Sequence, residues 1–171
     1  MIKTVKRYGF ILCLALLWVA ICFVAAPARI DGSSMSPEFQ DGHWVWALYF
    51  KRLDPGFPRF QEVVVFHPPG EAGIWGFQGT RYIKRVLGLP GDRIEIRHGT
   101  LYRNGKAVTE PYRSSVTAST EMPGVVLKKD EYFLVGDNRI LGASIDSRQF
   151  GPVQRSNLLG DRKSTRLNSS H

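Results

Sequence analysis

The chain has 171 residues, a formal charge of +8 and hydrophobic residues at 43% of its positions. That length accommodates one domain with its own core and excludes a second globular domain beside an N-terminal apolar segment. The charge does not indicate a nucleic-acid partner, because Lys3, Lys6, Arg7 and the last eleven residues carry five of the eight net charges and no basic run is interleaved with aromatic residues.

The N-terminal segment predicts a membrane anchor. Tyr8 to Ala26 is a run of 19 residues without charge, which as a helix spans roughly 28 Å. The three basic residues before it are expected to stay in the cytoplasm, so everything after Pro27 lies on the far side of the membrane. A cleaved secretory signal is the alternative, since Ala26-Pro27-Ala28 has small residues, but signal cores are typically about 7–15 residues long.

Residues 30–160 are interpreted as one exported domain that follows the cytoplasmic tip and anchor at 1–29. Both cysteines, Cys13 and Cys22, fall in the apolar run, so this domain has no disulfide. The four histidines show no ligand spacing, and no metal or other cofactor is expected. Residues 161–171, DRKSTRLNSSH, match the translation of a sequencing adapter, and we expect them to be a non-native tail that replaces the natural C-terminus.

The exported part predicts a mainly β domain. Short β-branched and aromatic runs are separated by Gly, Pro and Asp, and no long amphipathic helix is present. Asn104-Gly105 and His98-Gly99 indicate tight turns, so residues 93–108 are predicted as consecutive hairpins. Residues 68–79 and 111–124 are predicted loops. The predicted strands are His43–Tyr49, Glu62–Phe66, Thr80–Leu87, Arg93–Arg97, Thr100–Arg103 and Glu131–Val135.

Tryptophans concentrate in the first half of this domain. Trp44 and Trp46 alternate on a predicted strand, so they share one face, which we expect to be the core face. Trp75 and Phe77 lie in a glycine-rich loop, where the alternative is contact with the lipid interface.

A serine and a lysine are the candidates for catalysis. Ser34 precedes Met35 and Pro37, and Lys84 lies in an apolar strand. A lysine can activate a serine only when neutral, and at a reference pKa near ~10.4 on the order of one molecule in a thousand is neutral at pH 7.4. Burial lowers the pKa of a lysine, and a shift of about three units costs roughly 4 kcal/mol. The alternative interpretation of Lys84, taken without its neighbouring motifs, is an ordinary solvated lysine on a strand.

Several motifs occur in order behind the predicted anchor and favour the catalytic interpretation. They are GSSMSP at 32–37, YIKRVLGLPGD at 82–92, GDNR at 136–139 and SIDSRQFGPV at 144–153. Together they resemble the motifs of the type I signal peptidases, the serine–lysine leader peptidases of family S26. The resemblance covers about residues 8–160 and implies an antiparallel β peptidase domain, with one transmembrane helix, that removes signal peptides from exported preproteins at the bacterial inner membrane.

The resemblance assigns a role to each matching residue. Ser34 is the nucleophile and Lys84 the general base, with backbone N–H groups forming the oxyanion hole because Gly32 stands where some members have a hydroxyl. Ser144 orients the base. Charges that fix the site geometry belong to Asp137, Arg139, Asp146 and Arg148. Substrates of the family carry small residues at the first and third positions before the cut, as in Ala-X-Ala. The shallow apolar pockets that accept these residues are lined by Ile30, Met35, Tyr82 and Ile83.

The chain departs from the family pattern at several positions. Four residues, Ile140 to Ala143, separate Arg139 from Ser144 where two are usual. Glu38-Phe39 replaces the usual Thr-Leu, and Gln61-Glu62 stands where Gly-Asp is usual. These differences leave open a specialised relative that matures pilin or conjugation-system proteins, and an inactive, truncated peptide-binding form. A self-cleaving repressor of the serine–lysine type fits poorly, because proteases of that type lack a membrane span and need a DNA-binding domain.

Overall fold

The computed structural model describes Tyr8 and residues 10–14, 25–70, 81–113 and 121–163. Tyr8 and residues 10–14 are helical, and among the described residues no helix is both long and apolar enough to cross a membrane. Most of the predicted anchor lies outside the described residues, as do Trp75, Phe77 and residues 164–171. The anchor and the lipid contact of the loop therefore remain predictions.

The described residues form two antiparallel sheets, which confirms the predicted mainly β fold. The strands are β1 (Ala25–Arg29), β2 (Trp44–Leu48), β3 (Val63–Phe66), β4 (Tyr82–Gly88), β5 (Arg93–Arg97), β6 (Thr100–Arg103), β7 (Lys106–Ala107), β8 (Met122–Val126), β9 (Glu131–Val135), β10 (Val153–Gln154) and β11 (Leu158–Lys163). The larger sheet has the strand order β1-β2-β11-β3-β4-β9-β10, and the smaller has β7-β6-β5-β8. After β1, the described residues also form one α-helical turn, Ser147–Phe150, and two 3₁₀ turns, Tyr49–Leu53 and Arg155–Asn157.

All six predicted strands are present within one or two residues of their expected ends. The two predicted turns connect β5 to β6 and β6 to β7, with positive φ at His98, Gly99, Asn104 and Gly105. A correction concerns the predicted loop at 111–124, because its last residues begin strand β8, which pairs with β5.

Two segments at the ends of the sequence take part in the larger sheet. Ala25–Arg29, which the sequence analysis grouped with the anchor, pairs along its whole length with β2. Residues 161–163, which it grouped with the tail, extend β11 by backbone pairing with β2 and, at Asp161, with β3. The origin of the tail stays a prediction.

The expected core position of Trp44 and Trp46 is wrong. The two side chains share one face of β2, as predicted, but that face is exposed, with relative accessibilities of 66% and 45%. Val45 and Ala47 occupy the buried face instead. Both faces of this strand are apolar, so alternation alone could not show which one packs inward.

The two sheets pack face to face over a shared apolar cluster. Leu87 of β4 and Phe133 of β9 come from the larger sheet, and Ile94, Ile96 and Leu101 come from the smaller sheet. The opposite face of the larger sheet packs a second cluster around Phe66, Val86 and Leu134. Strand β4 is thus buried on both faces from Lys84 to Gly88.

Candidate active site

Lys84 and Ser34 are in direct contact. The Lys84 Nζ atom lies 2.8 Å from Ser34 Oγ and 3.0 Å from the carbonyl oxygen of Ile83. Lys84 belongs to β4, whereas Ser34 lies in a turn segment fifty positions earlier in the chain. The fold therefore brings together the two residues that the sequence analysis selected.

The surroundings of Lys84 favour the neutral amine. Its side chain is only 4% exposed. Burial, with a smaller contribution from the charge of Arg148, lowers the pKa of Lys84 from 10.5 to about 8, although the charges of Asp146 and Asp137 oppose the shift. Roughly a fifth of the molecules are then neutral at pH 7.4, against on the order of one in a thousand for an ordinary lysine. This lysine can accept a proton near neutral pH.

The turn that contains Ser34 is held by the loop of residues 136–139. The backbone N–H of Asn138 donates to the Ser34 carbonyl at 3.0 Å, and the Asn138 side chain donates to the Ser33 carbonyl at 3.1 Å. A Cβ added to Gly136 would come within 2.6 Å of the Ser34 carbonyl oxygen, so only glycine allows this approach. The Ser34 N–H donates to no acceptor within the described part of the chain, so it is available to an incoming oxygen.

Asp146 is a second buried group whose charge acts on Lys84. Its carboxylate, which is fully buried, accepts from the Arg148 guanidinium at 2.8 Å, from the Ser144 hydroxyl at 2.7 Å and from the Gly136 N–H at 3.0 Å. Burial alone would raise the pKa of Asp146, but Arg148 and the other donors hold that pKa below its usual value. The described hydrogen bonds join Ser144 to Asp146, whereas those of Lys84 go to Ser34 and Ile83.

A second buried ion pair lies behind Lys84. Arg85, the next residue of β4, donates to both carboxylate oxygens of Asp137 at 2.8 and 2.6 Å. It also donates to Glu38 at 2.5 Å and to the Gln61 carbonyl at 2.8 Å. Successive strand residues point to opposite faces, so Arg85 faces away from the side on which Lys84 lies. The contact with Glu38 ties β4 to the turn that contains Ser34, because Glu38 is part of that turn.

A groove of about 760 Å³ is lined by both Ser34 and Lys84. One wall is formed by residues 27–35, the other by residues 81–84, with Gly142, Ala143 and Ile145 at one side. All four residues predicted to contact substrate line it: Ile30, Met35, Tyr82 and Ile83. Strand β9 pairs with β4 only from Arg85 onward, so residues 82–84 keep one backbone edge without a strand partner among the described residues. An extended peptide can occupy that edge.

Comparison with known proteins agrees with the motifs. The family model described as "Signal peptidase, peptidase S26" matches residues 1–166. The chain belongs to the signal peptidase family, peptidase S26. Signal peptidase I V of Bacillus subtilis (strain 168) is 37% identical over 145 residues, which is 77% of this chain and 80% of the relative. Signal peptidase IB of Staphylococcus aureus (strain COL) is 32% identical over 162 residues, 85% of this chain and 79% of the relative.

A solved signal peptidase I from Enterococcus faecalis V583 is 29% identical, covers 61% of this chain and 95% of its own, and has a TM-score of 0.49. The family assignment stands on the sequence matches. It confirms the predicted enzyme class, a signal peptidase, and the predicted reaction, removal of signal peptides from preproteins.

Sequence reasoning on this signal peptidase missed several supporting residues. Arg85 follows the predicted base directly, yet nothing in the motif indicated that its guanidinium joins Asp137 and Glu38. Glu110 is another, since its buried carboxylate contacts Arg139. These pairs join residues tens of positions apart, and no local pattern predicts them. Among the described residues no cluster of His, Cys, Asp or Glu is arranged to hold a metal ion.

Proposed function

We propose that the chain is a membrane-anchored serine endopeptidase in which Ser34 attacks the scissile carbonyl and Lys84 acts as general base. The observation on which this proposal rests is the 2.8 Å contact between Lys84 Nζ and Ser34 Oγ, made by a lysine whose pKa is lowered to about 8. A solvated lysine beside a serine would be protonated at neutral pH and could not accept the hydroxyl proton.

The reaction follows from these positions. Neutral Lys84 accepts the Ser34 hydroxyl proton while Oγ attacks the peptide carbonyl, and the Ser34 N–H donates to the oxyanion that forms. The ammonium then returns the proton to the leaving amine of the mature protein, which leaves an ester between Ser34 and the signal peptide. Water, deprotonated by Lys84, hydrolyses that ester and releases the signal peptide with a new carboxylate.

The oxyanion hole is proposed to consist of backbone donors. Gly32 has φ of +95°, and its own N–H donates to Asp41 at 2.8 Å. A side chain at this position would be strained, although a Cβ would meet no atom within 4 Å. A hydroxyl of the kind found in some relatives is therefore not available from residue 32, and the Ser34 N–H is the donor that we assign.

Specificity for small residues is proposed to come from the groove wall. Met35 is 1% exposed and Ile30 is 4% exposed, so both are packed in place by the cluster around Phe39, Val45 and Val63. Rigid apolar walls of this kind leave shallow depressions, which accept alanine and exclude larger side chains. A signal peptide that adds as a strand beside residues 82–84 presents alternate side chains to the wall, which matches an Ala-X-Ala site.

The membrane anchor is proposed for the apolar run that begins at Tyr8 and ends before strand β1, with the N-terminus in the cytoplasm of a bacterial cell and the peptidase domain outside the inner membrane. The first groove residues follow almost directly, since Ser34 lies nine positions after Ala25. Nine residues span at most about 30 Å. The nucleophile would thus work close to the bilayer, where the hydrophobic part of a signal peptide resides.

The specialised alternative, maturation of pilin or conjugation-system proteins, is favoured by one feature. Two of the four residues between Arg139 and Ser144, Gly142 and Ala143, line the groove, and Leu141 beside them is 82% exposed. A longer apolar loop at this position alters the wall that a substrate meets. Cleavage of a pilin-type precursor, with no cleavage of a general secretory precursor, would select this alternative.

The proposal is tested with a purified reporter preprotein that has one Ala-X-Ala site. The full chain in detergent is expected to cut after the second alanine, as read by mass spectrometry of the new N-terminus, and Ser34→Ala is expected to give no product. Ser156→Ala is the matched control, because Ser156 is exposed in the turn Arg155–Asn157 and does not line the groove. Cleavage that persists in Ser34→Ala would contradict the assignment of the nucleophile.

A further inference from the structure

Two buried arginines of the active site contact the same distant segment. We call residues 109–113, which lie between β7 and β8, the brace. Its Glu110 carboxylate contacts the Arg139 guanidinium, with side-chain exposures of only 5% and 4%. Its Tyr112 ring lies against the Arg85 guanidinium, with 3.8 Å between Cζ and the ring centroid. No motif of the sequence analysis included the brace.

The Glu110 contact leads to the nucleophile in two steps. Arg139 Nε donates to the Gly136 carbonyl oxygen at 2.8 Å, within the loop of residues 136–139. That loop holds the Ser34 backbone through the Asn138 N–H and through the close approach of Gly136. An Arg139 without its carboxylate partner would be a buried, uncompensated charge, and it could leave this position only by moving the loop.

The Tyr112 contact leads to the base. Arg85 is adjacent to Lys84 in β4 and joins that strand to Asp137 and Glu38. The ring of Tyr112 covers one face of the guanidinium, which limits the directions in which it can tilt. The hydroxyl of Tyr112 is buried and has no hydrogen-bond partner among the described residues. The ring, and not the hydroxyl, therefore makes the contact that matters here.

The brace is itself attached at both ends. The Gln61 side chain donates to the Thr109 carbonyl at 2.9 Å, and the Arg113 guanidinium donates to the Gly99 carbonyl at 3.0 Å. Tyr112 also packs against the apolar cluster between the two sheets. These attachments fix the brace to the smaller sheet and to Gln61. The brace can therefore serve as a rigid support for the active site.

We infer that Glu110 and Tyr112 are positioning residues for the Ser34–Lys84 pair, acting through Arg139 and Arg85 respectively. The inference rests on the proposed function, since it assigns to the brace the task of holding those two residues at reacting distance. Neither side chain touches the groove, so both are expected to affect the rate of the chemical step and not the binding of the signal peptide.

The test uses the full chain in detergent with the reporter preprotein, comparing kcat and KM at a temperature at which all variants are folded. Glu110→Gln and Tyr112→Leu are expected to lower kcat by about tenfold or more with KM within about twofold, because small displacements of reacting groups are costly in rate. Tyr112→Phe keeps the ring and is expected to restore kcat. Tyr102→Leu is the matched control, since Tyr102 forms a similar stack with Arg97 at 4.0 Å in the smaller sheet.

A second readout separates positioning from the proposed function. Hydrogen exchange of peptides that contain Asn138 is expected to be faster in Glu110→Gln than in the parent, whether or not the parent cleaves the reporter. If the parent does not cleave the reporter but Glu110→Gln shows faster exchange, the proposed function is rejected. The inference that Glu110 holds the loop that supports the Ser34 backbone is then retained. Unchanged exchange, or a kcat in Tyr112→Leu equal to that in Tyr102→Leu, would overturn the inference.

Discussion

Replacing Lys84 with methionine should abolish cleavage and at the same time stabilise the fold at neutral pH. Burial lowers the pKa of Lys84 from 10.5 to about 8, which corresponds to about 3 kcal/mol at about 1.36 kcal/mol per unit. Methionine has a similar length and no charge, so it removes this cost. It also loses hydrogen bonds to Ser34 and Ile83, each of which contributes about 0.5–1.5 kcal/mol. The expected net gain is about 1–2 kcal/mol.

The sign of the effect depends on pH. Below about pH 8 Lys84 is protonated in both the folded and the unfolded chain, and the folded state bears the full cost. Between about 8 and 10.5 the unfolded state binds more protons, so the stability of the parent rises with pH by up to about 3 kcal/mol. The advantage of Lys84→Met should therefore shrink over this range and vanish within it, and at the upper end the parent should be the more stable protein by about 1–2 kcal/mol.

The assay is equilibrium unfolding in urea, followed by tryptophan fluorescence, for the parent and Lys84→Met at several pH values. Other groups titrate in both proteins, so only the difference between the two curves is interpreted. A difference in the free energy of unfolding that is constant from pH 7 to pH 10.5 would refute the reasoning, because it would mean that Lys84 has the same pKa in the folded and unfolded states.

Two further predictions concern packing. Gly136→Ala places a Cβ within 2.4 Å of Ser144 Oγ, and overpacking of this kind should cost about 1–3 kcal/mol and lower kcat; an unchanged melting temperature and kcat would contradict the close approach. Val45→Ala should cost about 2 kcal/mol, since Val45 is buried. Trp44→Ser and Trp46→Ser should each lower the free energy of unfolding by less than Val45→Ala does, as measured by thermal unfolding. A larger loss of stability for either tryptophan variant would contradict the exposure of that face of β2.

The strands and the two residues that meet in the candidate site, Ser34 and Lys84, were predictable because their signals are local. Runs of β-branched residues ended by glycine and proline located six strands, and the residues around Ser34 and Lys84 formed motifs with specific spacing. Which face of a strand packs into the core was not predictable where both faces are apolar, as the exposed Trp44 and Trp46 show. Such a choice depends on neighbouring strands that are distant in sequence.

The supporting charges of the site were only partly predictable. Asp137 and Arg139 belong to a recognisable motif, but their partners Arg85 and Glu110 lie 52 and 29 positions away. A buried ion pair of this kind is fixed by the tertiary fold, and either residue alone has the sequence appearance of a solvated charge. Glu110 in particular precedes a proline in a predicted loop, where exposure is the usual outcome.

The pH dependence of cleavage tests the central claim, the serine–lysine mechanism, most directly. Values of kcat/KM for the reporter preprotein should rise from about pH 6 to about pH 10 with a midpoint near the Lys84 pKa of about 8. Lys84→Ala should show no activity at any pH in this range. A profile with its midpoint near about 6.5, which indicates a histidine base, or activity that survives in Lys84→Ala, would contradict the account.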